Sequence, residues 1–195
     1  MSKFIVIEGI DGSGKTTIAK ALVGYLRDRG YKTHYTYEPS ESPFIEFFKK
    51  IKDIIERDPL IDALIMTLDR AYHVRYEIEP YLSQGYIVVS DRYYYSTVAY
   101  QGAMGLDVNW IINLNKYFRK PDLAIYLDVS LETALKRISG RRSVWSEYEQ
   151  GDFLFRVREI YLKLIEKGEL VRVDAERDLE KVISDVINLV NKILI

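Results

Sequence analysis

An eight-residue segment near the start of the chain carries the clearest chemical signal. Residues 9–16 read GIDGSGKT and match G-x-x-x-x-G-K-T, the pattern of a loop that binds nucleotide phosphates. Glycines let backbone N–H groups turn toward phosphate oxygens, Lys15 supplies a full positive charge, and the Thr16 hydroxyl can hold Mg²⁺. The predicted phosphate-binding residues are Gly9, Ile10, Asp11, Gly12, Ser13, Gly14, Lys15, Thr16 and Thr17. A strand pattern before the loop and a helical pattern after it favour a nucleoside triphosphate site over a chance glycine-rich turn.

A second polar pair follows a later apolar segment. Asp91 and Arg92 come directly after the strand pattern at 86–90. In a parallel sheet that also carries a phosphate loop, the carboxyl end of another strand is well placed to meet substrate. Asp91 could hold Mg²⁺ through water or accept a proton, and Arg92 could grip a second phosphate with its planar guanidinium. A plain ion pair on a loop is the alternative.

Two further clusters each allow a functional and a structural interpretation. Glu38 and Pro39 close the second predicted strand, where they could face the ligand edge or form a simple turn. Residues 69–73 read DRAYH within a helical pattern, and the structural interpretation of this segment is a solvated helix face. His73 by itself is expected to be a structural or surface histidine.

The segment at about 139–151 is polar and charged and lacks clear periodicity. Segments of this kind in compact domains are often functional loops, so we predict a mobile lid here. Arg141 and Arg142 could neutralise the charge that spreads over a transferring phosphoryl group when the lid closes. A solvated charged loop is the alternative.

Composition narrows the class of protein. The 195 residues fit one domain, 1–195, and 48% are apolar, as in ordinary globular proteins. A net charge of −1 argues against a nucleic-acid binder that depends on bulk positive charge. Cysteine is absent, no apolar run reaches about 18 residues, and the start runs directly into a strand pattern. We therefore expect a cytoplasmic protein with no membrane and no nucleic-acid partner.

Strand and helix patterns alternate along the chain. Strands are predicted at 3–8, 32–37, 86–90, 122–128 and 169–173, and helices near 15–29, 43–57, 60–83, 108–117, 131–138, 153–167 and 178–193. Such alternation predicts a three-layer α/β fold of the P-loop NTPase type, with a five-stranded parallel sheet flanked by helices. Ligands are expected beyond the carboxyl ends of the strands.

Five segments in this order resemble the thymidylate kinase family of P-loop nucleoside monophosphate kinases. They are residues 4–16, 38–39, 68–71, 91–102 and 156–162, and the run Ala-Tyr-Gln-Gly at 99–102 is the most specific of them. The resemblance implies that MgATP transfers its γ-phosphoryl group to dTMP, giving dTDP and ADP. It also implies a homodimer that contacts its partner through helices.

The resemblance assigns roles to individual residues. Catalysis would involve Lys15, Asp11, Arg92, Arg141 and Arg142, the metal would lie near Thr16 and Asp91, and Arg137 would pack on the adenine of ATP. The acceptor would meet Asp11, Glu38, Met66, Arg70, Arg92, Ser96, Thr97 and Tyr100. Family members often have phenylalanine, stacked on thymine, where this chain has Met66. Some members place an arginine directly after the loop aspartate, whereas this chain has Gly12, so Arg141 and Arg142 would supply that charge.

Other functions remain open from the sequence. Another small P-loop kinase could act on a deoxynucleoside, or more broadly on dTMP and dUMP, because methionine defines a base site less sharply than phenylalanine. A GTP-dependent switch protein is disfavoured, because the guanine motif Asn-Lys-x-Asp is absent and Asn115 and Lys116 are followed by Tyr117 and Phe118.

Overall fold

The described strands form one parallel sheet. The structure is a computed structural model and describes residues 2–51, 58–138 and 151–194. The strands are β1 (Lys3–Glu8), β2 (Thr33–Tyr37), β3 (Ile87–Asp91), β4 (Leu123–Asp128) and β5 (Val171–Asp174), and they lie in the order β2-β3-β1-β4-β5. All neighbouring pairs are parallel. The predicted five-stranded parallel sheet flanked by helices is confirmed.

Helices connect these strands. They are α1 (Lys15–Asp28), α2 (Pro43–Ile51), α3 (Pro59–His73), α4 (Glu79–Ser83), α5 (Tyr94–Ala103), α6 (Val108–Leu114), α7 (Leu131–Ile138), α8 (Gly151–Glu166) and α9 (Leu179–Asn191), with a π-helical turn at Val74–Ile78. Among the described residues, no helix combines the length and the apolar character that a membrane crossing requires.

The central strands are buried on both faces, as helices on both sides of the sheet require. Every residue of β3 is buried, and so is every residue of β1 after Lys3. Continuous apolar runs are typical of such strands. In the sheet, β1 and β3 are neighbours, but their connections run in opposite directions: the chain passes from β1 to β2 at one edge and from β3 to β4 on the other side. Crevices at such points are the usual ligand sites of open α/β sheets.

The structure corrects two helix predictions. Helix α5 was not predicted, because nearly all its sides are buried and no polar stripe of helical period appears. The helix predicted over 60–83 is interrupted by the π-helical turn before α4. Pro80 lacks the N–H that would bond to the carbonyl four residues earlier, and a widened turn accommodates this loss. Residues 52–57, predicted as helix, and 139–150, most of the predicted lid, lie outside the described residues.

Candidate active site

Two clefts open side by side at the carboxyl edge of the sheet. The first, which we call the loop cleft, is open to solvent and has a volume of about 1570 Å³. It is lined by residues 11–18, the ends of β2 and β3, and the start of α9. The second, the inner cleft, is also open to solvent, has a volume of about 720 Å³ and lies between α3 and α5. Asp11, Glu38 and Arg92 line both clefts. The clefts therefore meet at these three side chains.

The inner cleft brings together every residue expected to bind the acceptor. Those residues are Asp11, Glu38, Met66, Arg70, Arg92, Ser96, Thr97 and Tyr100. The loop cleft collects the predicted phosphate-binding residues from Asp11 to Thr17, and also Arg137. Gly9 and Ile10 are buried and do not line the cleft.

Gly12 holds a conformation that few side chains could share. Its φ of 82° lies in the left-handed region. A Cβ atom at this position would lie 2.5 Å from the backbone oxygen of Ala134. An arginine here, as in some family members, would therefore require the loop or α7 to move, and glycine suits the observed packing.

Lys15 lies at the first position of α1 and points back into the loop. Its Nζ donates to the backbone oxygen of Ile10 at 2.9 Å and lies 3.8 Å from Oδ1 of Asp11. Burial lowers the pKa of Lys15 to about 8, and the positive charge of Arg92 acts in the same direction. The ammonium is therefore poorly solvated, and an anion in the cleft would supply the missing interaction.

Thr16 and Asp91 form the predicted metal position. The Thr16 hydroxyl donates to Oδ2 of Asp91 at 2.5 Å. Oδ1 of Asp91 is buried and has no hydrogen-bond partner among the described residues. Buried polar atoms are normally paired, so this orphaned oxygen fits a cation or its bound water. No group of three acidic or histidine side chains in the described ranges could hold a metal alone. Such a pair suits Mg²⁺, which usually takes most of its ligands from water and substrate phosphates.

Arg92 lies at the junction of the two clefts in a strained backbone conformation. Its φ of 78° is the only positive value for a non-glycine residue in the described ranges. Its guanidinium contacts the Asp11 carboxylate, donates to Oγ of Ser96 at 3.0 Å, and lies 5.2 Å from the ring centroid of Tyr100. Burial alone would raise the pKa of Asp11, but the charges of Arg92 and Lys15 hold it below its ordinary value.

Glu8 is a buried carboxylate at this site that the sequence reasoning missed. It accepts hydrogen bonds from the Tyr93 backbone N–H at 2.8 Å, the Ser96 hydroxyl at 2.7 Å and the Tyr161 hydroxyl at 2.8 Å. Burial raises its pKa, although Arg92 and these bonds oppose the shift. A carboxylate at the end of an otherwise apolar strand was the available signal. Glu8 ties the phosphate loop to the start of α5.

Arg70 is buried in the wall of the inner cleft. The interpretation of residues 69–73 as a solvated helix face is wrong, because Asp69, Arg70 and His73 are at most 2% exposed. Nε of Arg70 donates to Oε2 of Glu38 at 2.8 Å, and Nη2 lies 2.7 Å from the same oxygen. Nη1 donates to Asn115 at 2.7 Å and Nη2 to Thr97 at 3.0 Å. Arg70 is thus held rigidly by partners from three other segments.

The segment after β2 is fixed from the same helix. Asp69 accepts from the Ser40 backbone N–H at 2.8 Å and from the Ser40 and Ser42 hydroxyls at 2.5 and 2.6 Å. Glu38 follows the end of β2, and its backbone N–H donates to the Asp91 oxygen at 3.0 Å. The wall of the inner cleft therefore connects α3, β2 and β3 into one unit. No pattern within a single segment of the sequence indicates this connection.

The far end of the loop cleft is lined by residues from α7 and the β5–α9 connection. Arg137 lies 3.4 Å from the backbone oxygens of both Gly12 and Ala175. Arg177 and Leu179 also line this end and were not predicted. Arg141 and Arg142 lie outside the described residues.

Comparison with known proteins identifies the family. The family model described as thymidylate kinase matches residues 7–186. The chain belongs to the thymidylate kinase family. It is similar to the probable thymidylate kinase of Staphylothermus marinus, with 51% identity over 96% of this chain and 94% of that protein. It is also similar to the probable thymidylate kinase of Pyrococcus horikoshii, with 43% identity over 96% of this chain and 95% of that protein. The probable thymidylate kinase of Thermococcus gammatolerans is 40% identical over 98% of this chain and 97% of that protein.

Family membership confirms the resemblance drawn from the ordered motifs. The thymidylate kinase family catalyses phosphoryl transfer to a nucleotide, and the two joined clefts provide space for a donor and an acceptor. The roles of the individual residues stay predictions.

Proposed function

We propose that this protein transfers the γ-phosphoryl group of ATP to dTMP and so produces dTDP and ADP. One observation carries the assignment: the phosphate-loop cleft and the inner cleft of a thymidylate kinase family member meet at Asp11, Glu38 and Arg92. If each cleft held one nucleotide with its phosphates toward this junction, the phosphates of the two nucleotides would meet there. The substrates are free nucleotides, so we place the reaction in the cytoplasm.

The donor occupies the loop cleft in this proposal. Backbone N–H groups of the loop and the amino end of α1 bind the phosphates, and Lys15 adds its charge. Arg137, which spans Gly12 and Ala175, borders the adenine. Thr16 and Asp91 would hold Mg²⁺, which would neutralise charge on the donor phosphates.

The acceptor occupies the inner cleft with its phosphate toward Arg92. Ser96 and Thr97 lie near the base edge, together with Arg70. Glu38 and its partner Arg70 form the wall beside them. Met66, half-buried in the cleft, covers a face of the base. The Tyr100 hydroxyl accepts from the Asp11 N–H at 3.2 Å, and its ring borders the sugar in this proposal.

The reaction needs positioning and charge more than a protein base. An oxygen of the dTMP phosphate attacks the γ-phosphorus, the bond to the β–γ bridging oxygen breaks, and ADP leaves with that electron pair. A phosphate monoester near neutral pH is already largely deprotonated, so no side chain has to remove a proton. Lys15 and Arg92 stabilise the charge that builds up on the transferring group. Asp11 orients Arg92 between the two phosphates.

We also propose that the segment at about 139–151, of which 139–150 lie outside the described residues, acts as a lid on this site within a single domain of residues 1–195. In this proposal Arg141 and Arg142 supply positive charge to the transferring group, because Gly12 leaves the phosphate loop without an arginine of its own. An arginine in this position can accelerate phosphoryl transfer by about 10³–10⁵.

We also propose that the protein is a homodimer. Leu60, Leu64, Leu68, Tyr72 and Tyr76 are spaced four residues apart along α3 and the π-helical turn, and each is at least 37% exposed. An exposed apolar stripe of this length fits a helix-mediated interface. The variant Leu64→Glu should have half the molar mass of the wild type by light scattering. Tyr117→Glu, at a site 87% exposed outside the stripe, is the matched control. A monomeric wild type at micromolar concentration would contradict the dimer.

The assay for the proposed function measures ADP release with MgATP and a panel of acceptors. We expect dTMP to have the highest kcat/KM, with dUMP lower and with UMP and thymidine inactive. Transfer to thymidine but not to dTMP would favour a deoxynucleoside kinase. Equal kcat/KM for dTMP and dUMP would favour the broader monophosphate kinase. Tight GTP binding with no transfer to any acceptor would support a switch protein.

A further inference from the structure

Both histidines of the chain lie in one hydrogen-bonded network behind the inner cleft. The sequence contains two histidines, His34 on β2 and His73 at the end of α3. Nε2 of His34 lies 2.8 Å from Oε1 of Glu77, and Nε2 of His73 lies 3.7 Å from Oε2 of the same carboxylate. The network runs from the surface at His34 to the wall of the inner cleft at Glu38. Of its members, Glu38 lines the clefts, whereas His34, His73 and Glu77 line neither of them.

His73 holds one oxygen of Glu38 while Arg70 holds the other. Nδ1 of His73 lies 3.2 Å from Oε1 of Glu38, and Nε of Arg70 donates to Oε2 at 2.8 Å. Nε2 of His73 lies 2.6 Å from the Thr36 hydroxyl. The side chain of His73 is fully buried, so the ring has no freedom to leave these partners. The Glu38 carboxylate is therefore fixed from both sides.

We propose that His73 is a positioning residue for the acceptor. His73 fixes the Glu38 carboxylate, and this carboxylate in turn orients Arg70. His73 thereby sets the affinity of the inner cleft for a nucleoside monophosphate. The inference rests on the proposed function, because it assigns the inner cleft to dTMP. His73 acts through Glu38 and does not touch the substrate.

The charges around Glu38 explain why a cationic ring is suited to this position. Glu38 borders both clefts, where two anionic nucleotides would meet, so an uncompensated carboxylate would repel them. Arg70 compensates the charge of Glu38, and a protonated His73 offsets part of the further negative charge that Glu77 adds to the cluster. Burial lowers the pKa of His73, but the hydrogen bond and charge of Glu38, with Glu77 and Asp69, raise it above its ordinary value.

The π-helical turn supplies the outer partner of His73. Glu77 lies within Val74–Ile78, and its pKa is lowered chiefly by the hydrogen bond to His34. His34 is itself held by stacking on Tyr81, with ring centroids 3.6 Å apart. π-Helical turns inside α-helices are frequent at functional sites. Here the turn places a carboxylate behind His73 that favours its protonated form.

Two substitutions separate the contact with Glu38 from the contact with Thr36. The amide nitrogen of asparagine and Nδ1 of histidine lie the same number of bonds from Cβ. The amide nitrogen of glutamine lies as many bonds from Cβ as Nε2 of histidine does. His73→Asn therefore keeps a donor for Glu38, whereas His73→Gln keeps a group for Thr36. We expect His73→Gln to raise the KM for dTMP by about tenfold, the loss of one hydrogen bond to a charged group, with the KM for ATP within about twofold. His73→Asn should remain within about threefold of the wild type.

The pH dependence adds a readout that a merely structural histidine would not change. As pH rises through the raised pKa of His73, the ring loses its proton, so the KM for dTMP should rise for the wild type relative to His73→Asn. The ionisation of dTMP is common to both proteins and cancels in this ratio. His34→Gln, which removes the surface histidine, should keep the wild-type profile.

Some results would overturn the inference. If His73→Asn and His73→Gln raise the two KM values equally, or lower only the melting temperature, His73 supports the fold and not the acceptor. The calorimetric Kd for dTMP repeats the comparison without turnover. A wild type that binds dTMP but does not phosphorylate it would contradict the proposed reaction and leave this test intact. A wild type that does not bind dTMP would overturn both.

Discussion

Replacing Arg92 with alanine tests the acceptor site most directly. The guanidinium is held by Asp11 and Ser96 at the point where the two clefts meet, so it is preorganised for an anion. Removing one partner of a buried, hydrogen-bonded charge pair typically costs about 2–5 kcal/mol of binding free energy. A loss of about 3 kcal/mol raises the KM for dTMP roughly a hundredfold. ATP keeps Lys15 and the loop N–H groups, so we expect its KM to rise only about threefold.

The loss has a second component that the structure makes measurable. Arg92 and Lys15 hold the pKa of Asp11 below its ordinary value, so Asp11 stays charged, and without Arg92 that charge repels the acceptor phosphate. Asp11→Asn in the Arg92→Ala background should therefore recover part of the dTMP affinity. Full additivity of the two substitutions would show that the residues do not act together.

Arg92→Lys is the matched control. Lysine keeps the charge but not the planar fork, and both variants share the left-handed backbone conformation at this position. We expect Arg92→Lys to lie between the wild type and Arg92→Ala in dTMP affinity. The assay is the KM for each substrate at saturation of the other, with circular dichroism to verify folding. An equal rise in the KM for ATP and for dTMP would refute the acceptor role of Arg92.

Three further predictions concern the donor side. The pKa of Lys15 is about 8 in the free protein and should be higher beside a phosphate. The affinity for ATP, measured by calorimetry, should therefore fall about fivefold between pH 8 and 9, and a constant affinity would contradict this. Asp91→Asn removes the carboxylate beside Thr16 and should raise the Mg²⁺ concentration for half-maximal rate by about tenfold, whereas an unchanged requirement would exclude Asp91 from the metal site. Alanine at Arg141 and Arg142 should lower kcat by at least about a hundredfold while the KM for ATP changes little, and a loss of ATP affinity alone would make them ground-state binders.

The local patterns of the sequence were sufficient for the sheet and the phosphate loop. Strands β1, β3 and β4 are largely apolar runs, whereas β2 and β5 mix apolar or aromatic residues with polar ones. All five strands were predicted within about two residues of their observed bounds. The loop was predictable because its glycines, Lys15 and Thr16 act within one short segment. Helix α5 was missed for the opposite reason, since burial on nearly all sides removes the amphipathic stripe that reveals a helix.

The acceptor side depended on tertiary structure, because its residues act across elements. By its sequence pattern, Arg70 could equally have been a solvated residue on a charged helix. Partners from the β2 end, α5 and α6 make it a buried wall residue instead. His73 and Glu8 gain their significance in the same way, from carboxylate and hydroxyl partners far away in the chain.

The sequence by itself determined the fold class, the phosphate loop and the family, because strand periodicity and contiguous motifs are local properties. Only the tertiary structure decided that Asp11, Glu38 and Arg92 stand where two clefts join. The physical reason is that burial and charge compensation depend on which distant side chains surround a group. A carboxylate such as Glu38 is stable at that junction because the fold brings Arg70 and His73 to its two oxygens.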